Sequence, residues 1–521
     1  MVRALLVAIA IAGCGDNLHA PDATGSAALQ FTPCDNGLDC ATLVVPADWS
    51  NPSDGATLSL PVVRAKARDA AQRIGVLTFN FGGPGGATLD PIVNDYPRQP
   101  IASQYDLTAR FDFVVIDWRG VATSQPAITC LDTDTGTRLG AERFAPASDA
   151  DWTQLFQLVT DIGAGCSANP ANPPLLAHMD TESAARDFEA LRVGLGEDTL
   201  NMWVVSYGTR IGAMYATLFP QHVRAIALDS PMFPAPQLET FLTTQGMTFE
   251  AELTRFFAWC AGTTAANCPF RTADGSALSV AAAYEALLTA ADTAPIAAMG
   301  LTLDRPTIDL AATSMMYFPY FDWPALARAL AALSSGDGSA MAALFLSNEI
   351  DGASDDNSFS AYQTVCAQDM PLPADIATPA TFEAFAKTLD PIAPHVGLQN
   401  AAAQAFAVSW PATVPAQHAI GPATGPAMLI TATRNDPATS YAWAGELQQA
   451  FANGSYLVTY EGDGHANAGF DACIGDVTAQ FLLDPTTAPT VTDCPAIDPT
   501  DGMSRSDRVV HIPRPHFGRA H

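Results

Sequence analysis

The sequence is poor in basic residues, and above all in lysine. Its 521 residues hold 24 Lys and Arg against 54 Asp and Glu, which gives a formal net charge of −30 at pH 7. The only lysines are Lys66 and Lys387. Because so acidic a surface repels phosphate backbones, the composition argues against a nucleic-acid partner. Arginine and histidine gather at the C-terminal end, where prolines argue against a packed element, and we expect 496–521 to be a flexible tail.

The N-terminal apolar run is too short to span a bilayer as a permanent helix, so it reads as a signal sequence. It ends in Ile11-Ala12-Gly13-Cys14, which resembles a bacterial lipobox. We therefore expect a lipoprotein signal over 1–14, a lipidated Cys14 that attaches the chain to a membrane, and a tether over 15–30. The alternative is a plain cleaved signal with an incidental cysteine. Either reading predicts an exported protein.

Cysteine patterns typical of metal sites are absent. There is no C-x-x-C and no Cys/His zinc spacing, which argues against a metal. In an exported protein the remaining cysteines suggest disulfides. Pairing neighbours along the sequence gives Cys34–Cys40, Cys130–Cys166, Cys260–Cys268 and Cys473–Cys494, and leaves Cys366 alone. Other connectivities stay open at this point.

The pattern of apolar runs predicts an α/β fold. "CATLVVPADW" and "ATLSLPVVRAKA" read as paired strands, and six further apolar segments read as strands, several of them followed by helical stretches. Strands that are apolar on both faces and alternate with helices indicate a mostly parallel central sheet. We expect core segments at 31–231 and 421–495. The Ala-rich, helical stretch 232–420 between them would be a lid over the sheet edge where ligands bind.

The segment "WVVSYGTRIGAMYA" resembles a nucleophile elbow with one departure. Ser206 stands between a buried strand and a helix, and Gly208 and Gly212 follow it on one helix face. Val204, however, stands where the first glycine of G-x-S-x-G is usual. A valine there has to be accommodated by smaller neighbours or by a shifted helix. The elbow alone therefore favours a nucleophile only moderately over a structural turn.

A serine nucleophile needs a base and an acid. Of the nine histidines, His465 lies in the loop "EGDGHA" directly after a predicted strand, from which it can reach back over the sheet edge. Asp436 ends the preceding predicted strand, and Asp229 is the competing acid because it also follows a strand. The order Ser206, Asp436, His465 is the order that α/β-hydrolases use.

The glycine loop "NFGGPGGA" offers backbone donors for an oxyanion. The loop follows an early strand, and the backbone N–H of its Gly83 is one candidate donor. The second candidate donor is the backbone N–H of Tyr207, directly after Ser206. Neither G-x-x-x-x-G-K-[ST] nor G-x-G-x-x-G occurs there, which argues against a nucleotide.

Together these segments resemble the exported α/β-hydrolases of the tripeptidyl aminopeptidase and proline iminopeptidase group. "NFGGPGGA" is similar to that family's N-P-G-G-P-G-G-S, and "DFVVIDWRGVATSQP" to its D-x-R-G-x-G-x-S-x-P. "AMLITATRNDPATSYAWAGEL" and "YEGDGHANAGFDAC" resemble its C-terminal portion. The resemblance implies an α/β-hydrolase fold and release of short peptides or single residues from free N-termini, with no metal or organic cofactor.

The sequence departs from this family at three places. Val204 and Ala122 replace glycines, and Gln368 in "TVCAQDM" stands where an acid is common. An exopeptidase needs a negative group for the substrate's ammonium, so Gln368 and the neighbouring Asp369 are the candidate substrate-binding residues. Three functions stay open: a serine exopeptidase acting on peptides, an esterase or amidase with the same triad, and a binding lipoprotein whose elbow has decayed.

Overall fold

A computed structural model describes residues 28–89, 103–235, 237–350, 357–422, 424–451 and 453–499. The predicted signal segment with Cys14, most of the predicted tether and nearly all of the predicted tail lie outside the described residues. Within them, no helix combines the length and the hydrophobicity that a bilayer crossing requires.

The described residues form twelve strands, β1 to β12, and the longer ones lie where the apolar segments predict strands. They are β1 (Thr32–Pro33), β2 (Asp39–Pro46), β3 (Thr57–Ala65), β4 (Gly75–Asn80), β5 (Phe111–Ile116), β6 (Leu200–Val205), β7 (Val223–Asp229), β8 (Ile296–Ala298), β9 (Leu301–Leu303), β10 (Leu429–Asn435), β11 (Tyr456–Asp463) and β12 (Asp493–Cys494). Ten of them form one sheet in the order β1-β2-β3-β5-β4-β6-β7-β10-β11-β12. Neighbours from β5 to β12 run parallel, and the first strands are antiparallel, so the predicted mostly parallel α/β sheet is confirmed.

Helices α1 to α4 and α13 to α14 accompany the core strands. They are α1 (Thr133–Ala141), α2 (Asp149–Ala168), α3 (Thr181–Leu195), α4 (Gly208–Leu218), α13 (Tyr441–Ala450) and α14 (Ala472–Leu483). The predicted glycine stop of α3 is present: Gly196 caps the helix with φ 73° and donates its N–H to the carbonyl of Val193.

Among the described residues between β7 and β10, in the stretch that the sequence predicts to be a lid, there are eight α-helices. They are α5 (Leu238–Gly262), α6 (Ala277–Thr293), α7 (Arg305–Ser314), α8 (Pro319–Ser334), α9 (Ser339–Ile350), α10 (Ser358–Asp369), α11 (Pro379–Leu389) and α12 (Gly397–Ala403). The short antiparallel pair β8 and β9 lies among them. The domain boundaries given above stay predictions.

Both faces of the sheet are covered, which explains why the central strands β4, β5 and β6 are buried along their whole length. Along β6, Met202 and Val204 belong to one apolar cluster, while Trp203 and Val205 belong to the other. Successive side chains of a strand point to opposite faces, so an uninterrupted apolar strand must be buried on both. Every residue of β6 is buried.

The disulfides follow the pairing of sequence neighbours. Bonds join Cys34 to Cys40, Cys130 to Cys166, Cys260 to Cys268 and Cys473 to Cys494. Cys366 is free and buried. Four disulfides are typical of a protein that folds in an oxidising, non-cytoplasmic compartment, which supports the predicted export.

An ionic contact joins three segments of the helical insertion. His395, between α11 and α12, places Nδ1 2.8 Å from Oε1 of Glu250 in α5 and Nε2 2.7 Å from Oε1 of Glu285 in α6. Burial lowers the pKa of His395, but the hydrogen bond to Glu250 and the charges of Asp309 and Glu250 outweigh burial and raise the pKa from 6.5 to about 9. The imidazolium therefore stabilises the insertion at neutral pH.

This contact predicts a loss of stability at alkaline pH. Because the folded pKa of His395 is raised, its contribution is complete below pH 6.5 and is lost as the pH rises through about 9. Burial raises the pKa of Asp309 to about 7, so this carboxyl is half ionised at pH 7 and its remaining ionisation adds a small loss of stability in the lower part of the range. Between pH 7 and about 9 we expect the free energy of unfolding to fall by about 1 to 2 kcal/mol, less than the full shift would give because half-exposed Glu285 is screened by water.

The measurement is urea denaturation across this pH range, with His395→Gln as the matched variant. The variant should be less stable at pH 7 and should show a flatter pH profile. Parallel profiles for the two proteins would contradict the assignment.

Candidate active site

Ser206 occupies a strained turn at the carboxyl end of β6. The strand ends at Val205, Ser206 follows with φ 56°, and α4 begins at Gly208. A left-handed φ is costly for a residue with a side chain, by roughly 1–3 kcal/mol, and persists where the surroundings enforce it. Here the N–H of Ser206 donates to the carbonyl of Asp229 at 2.8 Å. The side chain is partly exposed and lines a cavity.

Val204 is accommodated by Gly212, one turn into α4. A Cβ built on Gly212 would lie 2.7 Å from Cγ2 of Val204 and 3.1 Å from Cδ2 of Leu228. The valine methyl therefore fills the space that a side chain at 212 would need. The doubt that Val204 raises about the elbow is answered by this packing, because the turn keeps its strained serine and its helix starts directly after it.

Asp436 and His465 are in direct contact. Asp436 follows β10, His465 follows β11, and each is 2% exposed. Nδ1 of His465 lies 3.0 Å from Oδ1 and 2.9 Å from Oδ2 of Asp436. The carboxylate also accepts from the backbone N–H groups of Ala438 and Thr439, at 2.9 and 2.8 Å. Such an arrangement places a proton on Nδ1 and leaves Nε2 free to accept one.

Asp229, the competing acid, is bonded elsewhere. It accepts from Oγ1 of Thr431 at 2.9 Å and from the N–H of Ala468 at 3.3 Å. Burial raises its pKa to about 6. It therefore supports the loop that carries His465 and makes no hydrogen bond with the ring among the described contacts.

One cavity connects the serine with the surroundings of the histidine. It holds about 390 Å³ of empty space, and Ser206, Tyr317 and Thr439 are among its lining residues. Oγ1 of Thr439 lies 3.3 Å from Nδ1 of His465. The ring centroids of Tyr317 and His465 lie 5.7 Å apart. Within the described residues no hydrogen bond joins the hydroxyl of Ser206 to His465.

The glycine loop reaches the elbow, as its predicted role requires. Gly83 and Tyr207 both line the cavity. A Cβ on Gly82, whose φ is 87°, would lie 2.8 Å from the backbone nitrogen of Tyr207, so only glycine permits this approach. Neither Gly83 nor Tyr207 uses its N–H in a hydrogen bond with another described residue. Both amides are therefore available to an oxyanion.

Two charged residues of the "DWRG" segment hold this arrangement, and the sequence reasoning assigned them no role. Asp117 accepts from the N–H groups of Thr88 and Leu89, at 2.8 and 3.0 Å, which fixes the end of the glycine loop. Arg119 forms a fully buried ion pair with Asp187 of α3. The similarity of this segment to the family's D-x-R-G motif is the sequence feature from which a role for both residues could have been predicted.

Neither Gln368 nor Asp369, the candidate substrate-binding residues, lines the cavity. Gln368 accepts from the N–H of Met179 and donates to the carbonyl of Leu175, and Asp369 accepts from the N–H of Thr181. Burial, followed by the nearby charge of Asp180, raises the pKa of Asp369 to about 7. Both side chains are thus hydrogen-bonded inside the protein in this structure, and their role in holding a substrate ammonium stays a prediction.

Possible metal ligands come together at one place within the described residues. Asp471, Cys473 and Cys494 bring their ligand atoms within 4.8 Å of one another. The two sulfurs are bonded to each other, which removes them as thiolate ligands.

Comparison with known proteins agrees with this geometry. Residues 79–268 match the alpha/beta hydrolase fold, and residues 393–494 match the TAP-like protein family. Tripeptidyl aminopeptidase of Streptomyces coelicolor is 31% identical over 462 residues, which cover 86% of this chain and 81% of that protein. The chain belongs to the α/β-hydrolase family with a TAP-like C-terminal portion.

Two further relatives of this α/β-hydrolase come from Mycobacterium tuberculosis. Serine protease Hip1 is 28% identical and covers 94% of this chain and 96% of its own length. Carboxylesterase B is 30% identical and covers 87% of this chain and 86% of its own length. Relatives with these names support a serine hydrolase, whereas the catalytic roles of individual residues stay predictions.

The packing of Val204 on Gly212 predicts the effect of one added methyl group. Gly212→Ala should lower the free energy of unfolding by about 1–3 kcal/mol, because the new Cβ overlaps a valine methyl in the core. Gly445→Ala in α13 is the matched control, since a Cβ there meets nothing within 4 Å, and it should stabilise by about 0.5–1 kcal/mol. Chemical denaturation measures both.

A second substitution tests the contact itself. Val204→Ala combined with Gly212→Ala should cost clearly less stability than the sum of the two single changes, because removal of the valine methyl makes room for the new Cβ. Equal stability of the Gly212→Ala and Gly445→Ala proteins would show that no such overlap exists.

Proposed function

We propose that this hydrolase is a serine exopeptidase that releases short peptides from free N-termini, with Ser206, His465 and Asp436 as its triad. The observation that carries the proposal is the contact of His465 with both oxygens of Asp436, at the same edge of the sheet as the strained Ser206. Relatives named tripeptidyl aminopeptidase and serine protease support peptides as substrates.

In the proposed mechanism, the hydroxyl of Ser206 attacks the scissile carbonyl while Nε2 of His465 takes its proton. Asp436 keeps the other proton on Nδ1 and stabilises the imidazolium. The backbone N–H groups of Gly83 and Tyr207 donate to the oxyanion, each donor contributing roughly 3 kcal/mol of transition-state stabilisation. His465 then protonates the leaving amine. Water hydrolyses the acyl-enzyme through the same base.

The composition of the cavity bears on the length of the released peptide. Its lining holds apolar and aromatic side chains, the hydroxyls of Ser206 and Thr439 and one amide, Gln245, with no charged group among the described lining residues. In a substrate that loses a single residue, the ammonium would lie inside this cavity without a counter-charge. In a released tripeptide the ammonium lies about 10 Å along the chain from the scissile carbonyl, where groups other than these lining residues can meet it. The lining therefore supports release of peptides longer than one residue.

The same uncharged lining supports one alternative, an esterase or amidase that uses the same triad. Such an enzyme needs no counter-charge for an ammonium, and a relative is named carboxylesterase B. The third possibility, a decayed binding lipoprotein, gains weight from Val204, and the packing of Val204 against Gly212 weakens that argument. Lipidation of Cys14 concerns residues outside those described.

A small substrate panel separates the two enzymatic functions. We expect kcat/KM for an unblocked tripeptidyl anilide to exceed that for its N-acylated form roughly 10- to 100-fold, because a hydrogen-bonded ammonium contributes about 1.5–3 kcal/mol. A single aminoacyl anilide should also be the poorer substrate. The Ser206→Ala protein is the control and should turn over none of them.

Equal rates on free and acylated peptides would dismiss the exopeptidase. Turnover of p-nitrophenyl esters without peptide turnover would establish the alternative. Hydrolysis that persists in Ser206→Ala would reject the proposed nucleophile.

The choice between the two acids is tested by matched substitutions. Asp436→Asn should lower kcat by roughly 10³- to 10⁴-fold, because the amide permits the wrong tautomer of His465. Asp229→Asn keeps an acceptor for Thr431 and should stay within about tenfold of the wild type. The measurement is kcat on the preferred substrate, and the reverse ranking would transfer the role to Asp229.

A further inference from the structure

The side chain of Tyr207 is tied to the helical insertion by a chain of hydrogen bonds. Its hydroxyl lies 2.9 Å from Oγ1 of Thr181, the first residue of α3. Thr181 in turn donates its hydroxyl to Oδ2 of Asp369 and its backbone N–H to Oδ1, the latter at 3.1 Å. Asp369 is the last residue of α10 and is 4% exposed. The chain thus runs from the elbow, through α3, to the end of α10.

The carboxyl group sets the direction of this chain. When Asp369 is ionised, the hydroxyl of Thr181 gives its single proton to that carboxylate. Thr181 can therefore only accept from Tyr207, so the phenol must donate. The phenol is 1% exposed and lies beside Trp118, with 6.2 Å between ring centroids. A buried phenol that loses its partner pays the cost of desolvation without compensation, so this bond holds the side chain of Tyr207 in one position.

The same helix also packs on the glycine loop. A Cβ built on Gly85 would lie 2.7 Å from the backbone nitrogen of Tyr362 and 2.9 Å from Cβ of Ala361, both in α10. Gly83 lies two residues before this contact. One helix of the insertion therefore contacts the loop that carries Gly83 and, through Thr181, the residue that carries the second amide. Gln417 adds a further hydrogen bond to Asp369, which secures the end of the helix.

We propose that Thr181, held in place by Asp369, is a positioning residue whose hydroxyl holds Tyr207 so that its backbone N–H points to the oxyanion. This proposal rests on the proposed function, in which that N–H is a donor. Asp369 touches no substrate in this account. Since an oxyanion donor acts mainly in the transition state, losing the link should lower kcat and leave KM almost unchanged.

The test uses four variants of the full chain with the preferred substrate of the wild type. Thr181→Val removes the hydroxyl and keeps the shape, Thr181→Ser keeps the hydroxyl, and Tyr207→Phe removes the other end of the bond. The double variant Thr181→Val with Tyr207→Phe measures their coupling. Thr254→Val is the control, because this exposed threonine of α5 bonds only within its own helix. Thermal midpoints establish that each protein is folded.

We expect Thr181→Val and Tyr207→Phe each to lower kcat roughly 10- to 100-fold, with KM within about twofold, because small displacements of a catalytic group are costly. Thr181→Ser should recover most of the activity, the double variant should be no worse than the poorer single one, and Thr254→Val should match the wild type. Wild-type kcat in Thr181→Val, losses that multiply in the double variant, or a loss confined to KM would each overturn the positioning role. A wild type without Ser206-dependent hydrolysis would instead overturn the proposed function.

Discussion

The hydrogen bonds between Nδ1 of His465 and the two oxygens of Asp436 are the contact on which the rest of the site depends. They orient the ring and leave its second nitrogen free for proton transfer. The parallel sheet makes this contact possible, because Asp436 and His465 follow neighbouring strands, and carboxyl ends of neighbouring parallel strands lie about 5 Å apart at one edge. Ser206 reaches the same edge on β6, with β7 and β10 between it and the histidine.

The helical insertion supports this edge as well as covering it. The carbonyl of Tyr317, between α7 and α8, accepts the N–H of His465 at 2.9 Å, and the same residue lines the cavity. Helix α10 meets the glycine loop at Gly85 and the elbow through Thr181. The loop of His465, the glycine loop and the turn at Ser206 are thus each attached to the insertion. Substitutions within it should therefore change the rate of the chemical step as well as substrate choice.

Much of the core could be predicted because its signals are local. Apolar runs that end in polar turns mark the strands before Ser206, Asp436 and His465, and the parallel topology then places those residues at one edge. The orientation of Gln368 and Asp369 could not be predicted, since it depends on how α10 docks against α3. For Val204 the missing information was spatial: Gly212 was visible in the sequence, but its contact with the valine methyl requires the helix to lie on the sheet.

Covalent labelling tests the central claim most directly. The protein is treated with a fluorophosphonate, digested, and the modified peptide is identified by mass spectrometry, with the His465→Ala protein alongside. The account predicts one adduct, on Ser206, that forms quickly in the wild type and far more slowly without the imidazole. An adduct on another serine, or equal labelling rates in the two proteins, would contradict it.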